Sequence, residues 1–352
     1  MLLKNALKLV NKKDFMNKNI VAIVIVCLCL LCLFVGIVGS NKSLSYYNDS
    51  AQDRKFHPVF STSSKIAVVT LDGVIDSTNK VSAFSNDFNA QAALKSLKMA
   101  GKDAEIKGVI LKINTPGGTV AMSQSIYNEV LRIRKNKPVV VVMEDLAASG
   151  GYYIASAADR IYALPGTLTG SVGVIFSTMD VHQLLSQKLL ISPNVIKSGK
   201  YKDIGSGYRT MTKDDRKLLK GIVDDSYSQF LDAITVGRIK RNDLYTVPKS
   251  NLTLKVLKSH ADGRVFTGRQ AQKLGFVDSI GDLTDAQAAI KTMVNEKFGT
   301  KSDVILVPYS KSSTFGEYLS GMSESIFTGK ASLESFLPVS MQLSRRPLYL
   351  WE

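Results

Sequence analysis

Cysteine and histidine are scarce in this chain of 352 residues, with three of each. Their placement excludes more than their number does. Cys27, Cys29 and Cys32 all fall inside one apolar run, which leaves no cysteine in the remaining 320 residues. A disulfide framework and a cysteine metal site are therefore not expected in the folded part. His57, His182 and His260 are far apart and belong to no H-E-x-x-H pattern, so no metal centre is expected either. A Walker A sequence and a G-x-G-x-x-G after a strand are also missing, and no cofactor is implied. Acidic residues are fewer than basic ones, 30 against 45, giving a formal charge of +15. The basic residues are scattered and carry no nucleic-acid-binding signature, which favours an anionic bilayer surface over nucleic acid as the counterpart of that charge. A hydrophobic fraction of 45% excludes a disordered chain.

What is present begins with a membrane signal. Residues 20–38 read IVAIVIVCLCLLCLFVGIV, nineteen positions without a charge. At 1.5 Å per residue this run nearly matches the hydrocarbon thickness of a bilayer, so a single transmembrane helix is expected. A cleaved signal peptide is the alternative, with Val38 and Ser40 as the small residues of a cleavage site. Lys4, Lys8, Lys12, Lys13 and Lys18 precede the run, while the twenty residues after Ser40 hold only Lys42, Arg54 and Lys55 as cations. The positive-inside bias keeps residues 1–19 in the cytoplasm and sends the C-terminal part across. Residues 39–64 are rich in Ser, Asn and Asp without periodicity and read as a stalk.

Over residues 65–298 apolar runs of strand length alternate with amphipathic helices. KIAVVTL (65–71), KGVILKI (107–113), PVVVVM (138–143), RIYAL (160–164) and SVGVIF (171–176) are the β-branched runs. Met122, Ile126, Val130 and Ile133 recur at helical spacing between the second and third. Thr212 with Asp215, and Thr267 with Gln270, form capping-box patterns, the second helix stopping at Gly275, and a further helix is expected from about Asp285. Such alternation implies βαβ units, a largely parallel sheet and the α/β class. The tail, residues 299–352, offers one short strand, DVILVPY, and is expected to pack on its own body or on a neighbouring subunit.

Two glycine pairs follow buried-type strands, where a parallel sheet presents its ligand site. Gly117 and Gly118 lie in TPGG; Gly150 and Gly151 follow Ser149 in AASGG. Glycine lets the backbone approach a ligand closely, and two converging amides are what an oxyanion hole requires. Ser149 stands at the strand-to-helix turn, either as a nucleophile or simply as a helix N-cap. A serine hydroxyl is a weak nucleophile without a base. His260, in a stretch read as a loop, is poorly placed to serve. Lysine can replace it when a dry pocket lowers its pKa. Lys197, Lys200 and Lys202 lie in a Gly/Ser-rich loop read as following a short strand, and by pattern alone all three are surface lysines.

The ordered runs NTPGGTV (114–120), ASGGYYIASAAD (148–159), TGSVGV (169–174), SGKYKDIGS (198–206) and GRVFTGRQAQKLGFVDSIGD (263–282) resemble the signal peptide peptidase A family of membrane-anchored serine peptidases. The resemblance spans residues 65–293. It implies a Clp-protease-like or crotonase-like α/β fold behind one N-terminal transmembrane helix, with a Ser/Lys dyad. Carried onto this sequence, Ser149 becomes the nucleophile and Lys202 the general base. The backbone amides of Gly150 and Gly118 become the oxyanion donors, with Gly117 as the alternative to Gly118, and Ser171 orients the Lys202 amine. The single-length chain is similar to the short form of the family, which implies a homo-oligomeric ring. The implied substrates are cleaved signal peptides and other apolar segments. The implied location is the bacterial inner (cytoplasmic) membrane, with the catalytic domain on the periplasmic or extracytoplasmic side and the lipid contact through residues 20–38. A non-proteolytic scaffold of the same fold and a crotonase-type acyl-CoA enzyme are the competing readings.

Overall fold

A computed structural model of the protein describes residues 63–77, 89–241, 243–309 and 347–350. The apolar run 20–38, the charged residues before it and nearly all of the stalk lie outside the described residues. Among the described residues no helix is long and apolar enough to cross a membrane.

The chain runs through β1 (Ser64–Asp72), α1 (Ala90–Lys102), β2 (Ile106–Thr115), β3 (Gly117–Thr119), α2 (Val120–Arg134), β4 (Val139–Ala148), α3 (Gly150–Ala155), β5 (Arg160–Ala163) and β6 (Leu168–Gly170). A long connection holding a π-helical turn at Leu184–Lys188 leads to α4 (Lys213–Ile234), which continues into a second π turn at Thr235–Ile239. Then come α5 (Leu254–His260), β7 (Val265–Thr267), α6 (Gly268–Leu274), β8 (Ser279–Ile280), α7 (Leu283–Phe298), β9 (Val304–Pro308) and β10 (Leu348–Leu350). The main sheet has the order β7-β6-β4-β2-β1-β9, with β5 and β8 branching from β4. Its pairings are parallel except for β6 with β7. The α/β class and parallel sheet expected from the alternation are thus present.

Successive residues of the central strands bury on opposite faces, which is why these strands read as continuous apolar runs. Val139, Val141 and Met143 join one core with Val109, Leu111, Ile113 and the inward residues of α1 and α2. Val140 and Val142 join another with Ile66, Ile110, Ile290, Met293 and Val294. Gly108 lets α7 lie close on this second face, since a Cβ there would meet Ile290 Cδ1 at 3.0 Å and Val294 Cγ2 at 3.1 Å. β4 divides the sheet: Val140–Met143 pair with β5, whereas Leu146–Ala148 pair with β6. The strand therefore hands its last residues, and the turn that follows, to a separate edge.

Several local expectations change. The run 171–176 forms no strand; the chain turns out of the sheet at Gly170 (φ 84°) and Ser171 (φ 50°), and only Ile175 makes an isolated bridge. The strand there is β6, three residues earlier. No strand precedes the lysine loop at 197–202, because residues 191–197 have no regular structure. His260 is the last residue of α5, whose start is capped by the Thr253 side chain accepting from Val256 N, rather than a loop residue. α7 begins at Leu283 because Asp282 caps it. The tail carries a second strand, β10, beyond the one expected.

Candidate active site

β4 ends at Ala148, α3 begins at Gly150, and Ser149 is the hinge between them. Its backbone sits at φ 51°, ψ −111°, in a region that side-chain-bearing residues rarely occupy. Two backbone bonds hold it there: Ser149 N donates to Gly170 O at 2.8 Å, and Ser149 O accepts from Tyr153 N at 2.8 Å. The first ties the turn to β6, and the second starts α3. Ser149 is wholly buried. Although it stands at the N-cap position, its side chain makes no capping bond, and its Oγ finds no partner among the described residues. A buried hydroxyl left unpaired costs about 1–3 kcal/mol, and so does the backbone strain. A simple capping serine would show neither cost.

Gly117 and Gly118 approach from the next strand over. Their φ values, 105° and 158°, favour glycine, and crowding adds to the demand. A Cβ on Gly118 would lie 2.0 Å from Ile75 O, and one on Gly117 would lie 2.8 Å from Gly150 N. One edge of β3 is fixed by Ile75, which donates to Gly117 O at 2.8 Å and accepts from Thr119 N at 2.7 Å. Gly117 N is held by Thr115 Oγ1 at 3.1 Å, and that hydroxyl donates to Gly73 O at 2.5 Å.

The other edge of β3 carries β10, antiparallel, with Leu348 opposite Thr119, Tyr349 opposite Gly118 and Leu350 opposite Gly117. On its far side Leu348 exchanges both backbone bonds with Ile175, at 3.0 and 3.1 Å. Hydrogen-bonding direction alternates along a strand, so the amide and carbonyl of Tyr349 face β3. Its carbonyl oxygen reaches the glycines: a Cβ on Gly117 would be 2.0 Å from it and one on Gly150 would be 3.1 Å from it. An extended segment thus crosses directly in front of the Ser149 turn. Its ring packs between Tyr153 (centroids 4.9 Å) and Phe230 (4.5 Å), and its hydroxyl donates to Ser226 O at 2.8 Å. Burial, reinforced by Tyr153, pushes this phenol well above its ordinary pKa.

Lys202 is elsewhere. It is exposed, within a run of tight turns in which Lys202 N donates to Gly199 O at 3.2 Å and Ile204 N to Tyr201 O at 3.1 Å. It does not hydrogen-bond Ser149 Oγ in this chain. Its neighbour Asp203 turns its carboxylate to Lys197 and Arg209, at 2.7 and 2.9 Å. Ser171 is next to Gly170, the acceptor of the Ser149 amide, and donates its own amide to Arg264 O at 2.8 Å. The structure thus gathers Ser149, Gly150, Gly117 and Gly118 at one edge, with Ser171 one residue beyond it. The sequence did not point to Ile75, Gly170 or Tyr349, because two of them act through backbone atoms. Tyr349 carried one faint signal, the short continuous apolar run Leu348–Leu350 in PLYL. Among the described residues no group of three or more His, Cys, Asp or Glu could hold a metal ion.

The largely parallel α/β sheet is consistent with a Clp-protease-like fold, and the sequence profile of Clp protease matches residues 75–169. The profile of Peptidase family S49 matches residues 132–297. An Enterococcus faecium protein named "Putative signal peptide peptidase SppA" is 32% identical over 82% of this chain and 84% of its own length. The chain belongs to peptidase family S49. Similar as well are serine protease SPPA, chloroplastic, of Arabidopsis thaliana, 29% identical over 78% of this chain and 39% of its own, and protease 4 of Haemophilus influenzae, 30% identical over 72% and 38%.

Proposed function

We propose that this protease is a membrane-anchored serine endopeptidase that hydrolyses cleaved signal peptides and other apolar segments with Ser149 and Lys202. The observation that carries the reading is the seat of β10. An extended peptide of three buried apolar residues lies between β3 and Ile175, with one carbonyl turned to Gly117, Gly118 and Gly150. Substrate joins the same edge by strand addition, its scissile carbonyl taking the place of Tyr349 O and an apolar side chain entering the space between Tyr153 and Phe230.

Neutral Lys202 then takes the Ser149 proton as Oγ attacks the carbonyl carbon. The amides of Gly150 and Gly118 stabilise the oxyanion; Gly117, the alternative to Gly118, could serve only by giving up its bond to Thr115 Oγ1. The amine leaves with the proton returned by Lys202. Water, deprotonated by the same lysine, hydrolyses the acyl-enzyme. Ser171 orients the amine. The exposed position of Lys202 and the buried one of Ser149 agree with a dyad completed when chains assemble into a homo-oligomeric ring. Residues 20–38 anchor each chain in the bacterial inner membrane, residues 1–19 stay in the cytoplasm, and the catalytic domain lies on the extracytoplasmic side. Ser149→Ala and Lys202→Ala, each assayed on a fluorogenic apolar peptide, test the dyad, and an acylating probe read by mass tests the nucleophile. Loss of turnover in both variants and labelling at Ser149 are expected. Unchanged turnover in either variant sinks the dyad, whereas no turnover by the wild-type chain and no labelling at Ser149 would leave the non-proteolytic or acyl-CoA readings standing.

A further inference from the structure

The lysine loop contains an ion-pair cluster that the reaction as written does not use. Asp203 follows Lys202 directly, and a carboxylate resting on a lysine amine favours the ammonium, the wrong form for a base. Here both carboxylate oxygens are engaged, Oδ2 by Lys197 Nζ at 2.7 Å and Oδ1 by Arg209 Nη2 at 2.9 Å. Arg209 and then Lys197 hold this carboxyl well below the usual carboxylate range. Arg209 is itself fixed from the other side. Its Nη1 and Nη2 both bond Asp215, at 2.5 and 3.2 Å. Asp215 is 1% exposed and caps α4, accepting from Thr212 N at 3.0 Å while its own amide donates to Thr212 Oγ1 at 3.1 Å. A planar, two-pronged guanidinium is the side chain suited to bridging two carboxylates in fixed directions. Lys200 adds a second tie to α4, bonding Asp214 at 2.7 Å. The charged groups around the Lys202 turn are thus Lys197, Lys200, Asp203 and Arg209 of the loop and Asp214 and Asp215 of the helix.

We propose that Arg209 is a positioning residue for the general base: bridging Asp203 to the capped start of α4, it keeps the Asp203 carboxylate off the Lys202 amine and fixes the turn that presents that amine. The inference rests on Lys202 being the base. It assigns Arg209 no contact with substrate. With the bridge cut, Asp203 keeps Lys197 and is released to turn towards Lys202, its neighbour in the chain.

The test is the pH dependence of kcat/KM for the full-length, detergent-solubilised protein on a fluorogenic apolar peptide, because that profile reports the pKa of the free enzyme's base. Arg209→Gln is expected to move the acid limb upward by about one unit, lowering kcat/KM about ten-fold below the limb while the loss shrinks above it. Adding Asp203→Asn to Arg209→Gln is expected to return the limb to its wild-type position. Arg209→Lys, which keeps the charge without the fork, is expected to shift the limb less, and it decides the matter if Arg209→Gln does not fold. A loss of rate equal at every pH, or a shift that Asp203→Asn does not reverse, overturns the inference and leaves Arg209 a structural residue. Lys202→Ala separates the two claims. If it abolishes turnover while the Arg209 limb stays still, only the positioning role falls; if it retains turnover, the dyad falls and this role with it.

Discussion

Replacing Tyr349 by Ala tests how the strand in front of the Ser149 turn is held. The side chain is wholly buried, nearly parallel to Tyr153 (22°), against Phe230, and bonded through its hydroxyl to Ser226 O at 2.8 Å. Truncating a buried aromatic costs about 3–5 kcal/mol. Of this, aromatic pairing contributes about 0.5–1.5 kcal/mol per ring and the hydroxyl bond about 1 kcal/mol. The loss falls on β10 rather than on the main sheet, since among the described residues β10 pairs its backbone with β3 and Ile175 and with no strand of the main sheet. At the lower end, about 3 kcal/mol shifts the docked-to-released ratio of β10 by about 100-fold. If substrate takes the place of β10, KM for a fluorogenic peptide falls by up to about that factor, kcat stays constant, and hydrogen exchange quickens at Gly117–Val120. An unchanged KM together with unchanged protection of β3 would refute competition between tail and substrate. A fall in thermal stability by the full aromatic cost, with β10 still docked, would refute the view that the tail detaches independently.

Gly117→Ala puts a Cβ 2.0 Å from Tyr349 O at a φ of 105°, and is expected to reduce kcat at least about 100-fold; near-normal turnover would remove Gly117 from the neighbourhood of the reacting carbonyl. Asp278→Asn leaves the Arg238 guanidinium, 0% exposed like its partner, without its carboxylate, and thermal or urea unfolding should show a loss of about 3–5 kcal/mol. Lys249 is lowered to about 8 by burial and by Arg238 and Arg241. Its folded pKa lies below its unfolded one, so the unfolded chain binds more protons between about pH 8 and 10.5 and stability from this group rises with pH across that window. Lys249→Gln should raise the melting temperature at pH 7 and flatten that rise; an unaltered slope would count against it.

The buried strands were legible because both faces of β2 and β4 are covered, which forces the continuous apolar runs of 107–113 and 138–143. Local chemistry also marked the helix starts at Thr212 and Thr267, where both capping boxes are present. The run 171–176 has the same β-branched composition yet forms no strand; the chain turns out of the sheet at positive φ at Gly170 and Ser171, held by bonds to Arg264, just before β7, and to the Ser149 turn. Backbone conformation of that kind has no signature in residue type when the residue is not glycine. Ser149 shows the same limit: its place between strand and helix is readable, and its strain is not. The seat of Tyr349 was unreadable for another reason, since three residues of strand pair with a three-residue edge more than two hundred positions earlier. Asp203, beside a lysine read as a base, raised a local conflict in the sequence; its resolution through Arg209 and Asp215 required the fold.

The order of the sheet also has a consequence for the time at which the protein becomes complete. β1 is the first strand among the described residues, yet one of its two edges waits for β9, which pairs Ser64 with Val304 and Val68 with Pro308. Closing a contact across so much chain is slow, and during synthesis at about 5–20 residues per second the partner emerges roughly 10–50 s after β1 does. For that interval Ile66, Val68 and their neighbours present an unpaired, apolar edge. Left uncovered for that interval, such an edge is a template for pairing with other chains before the site exists.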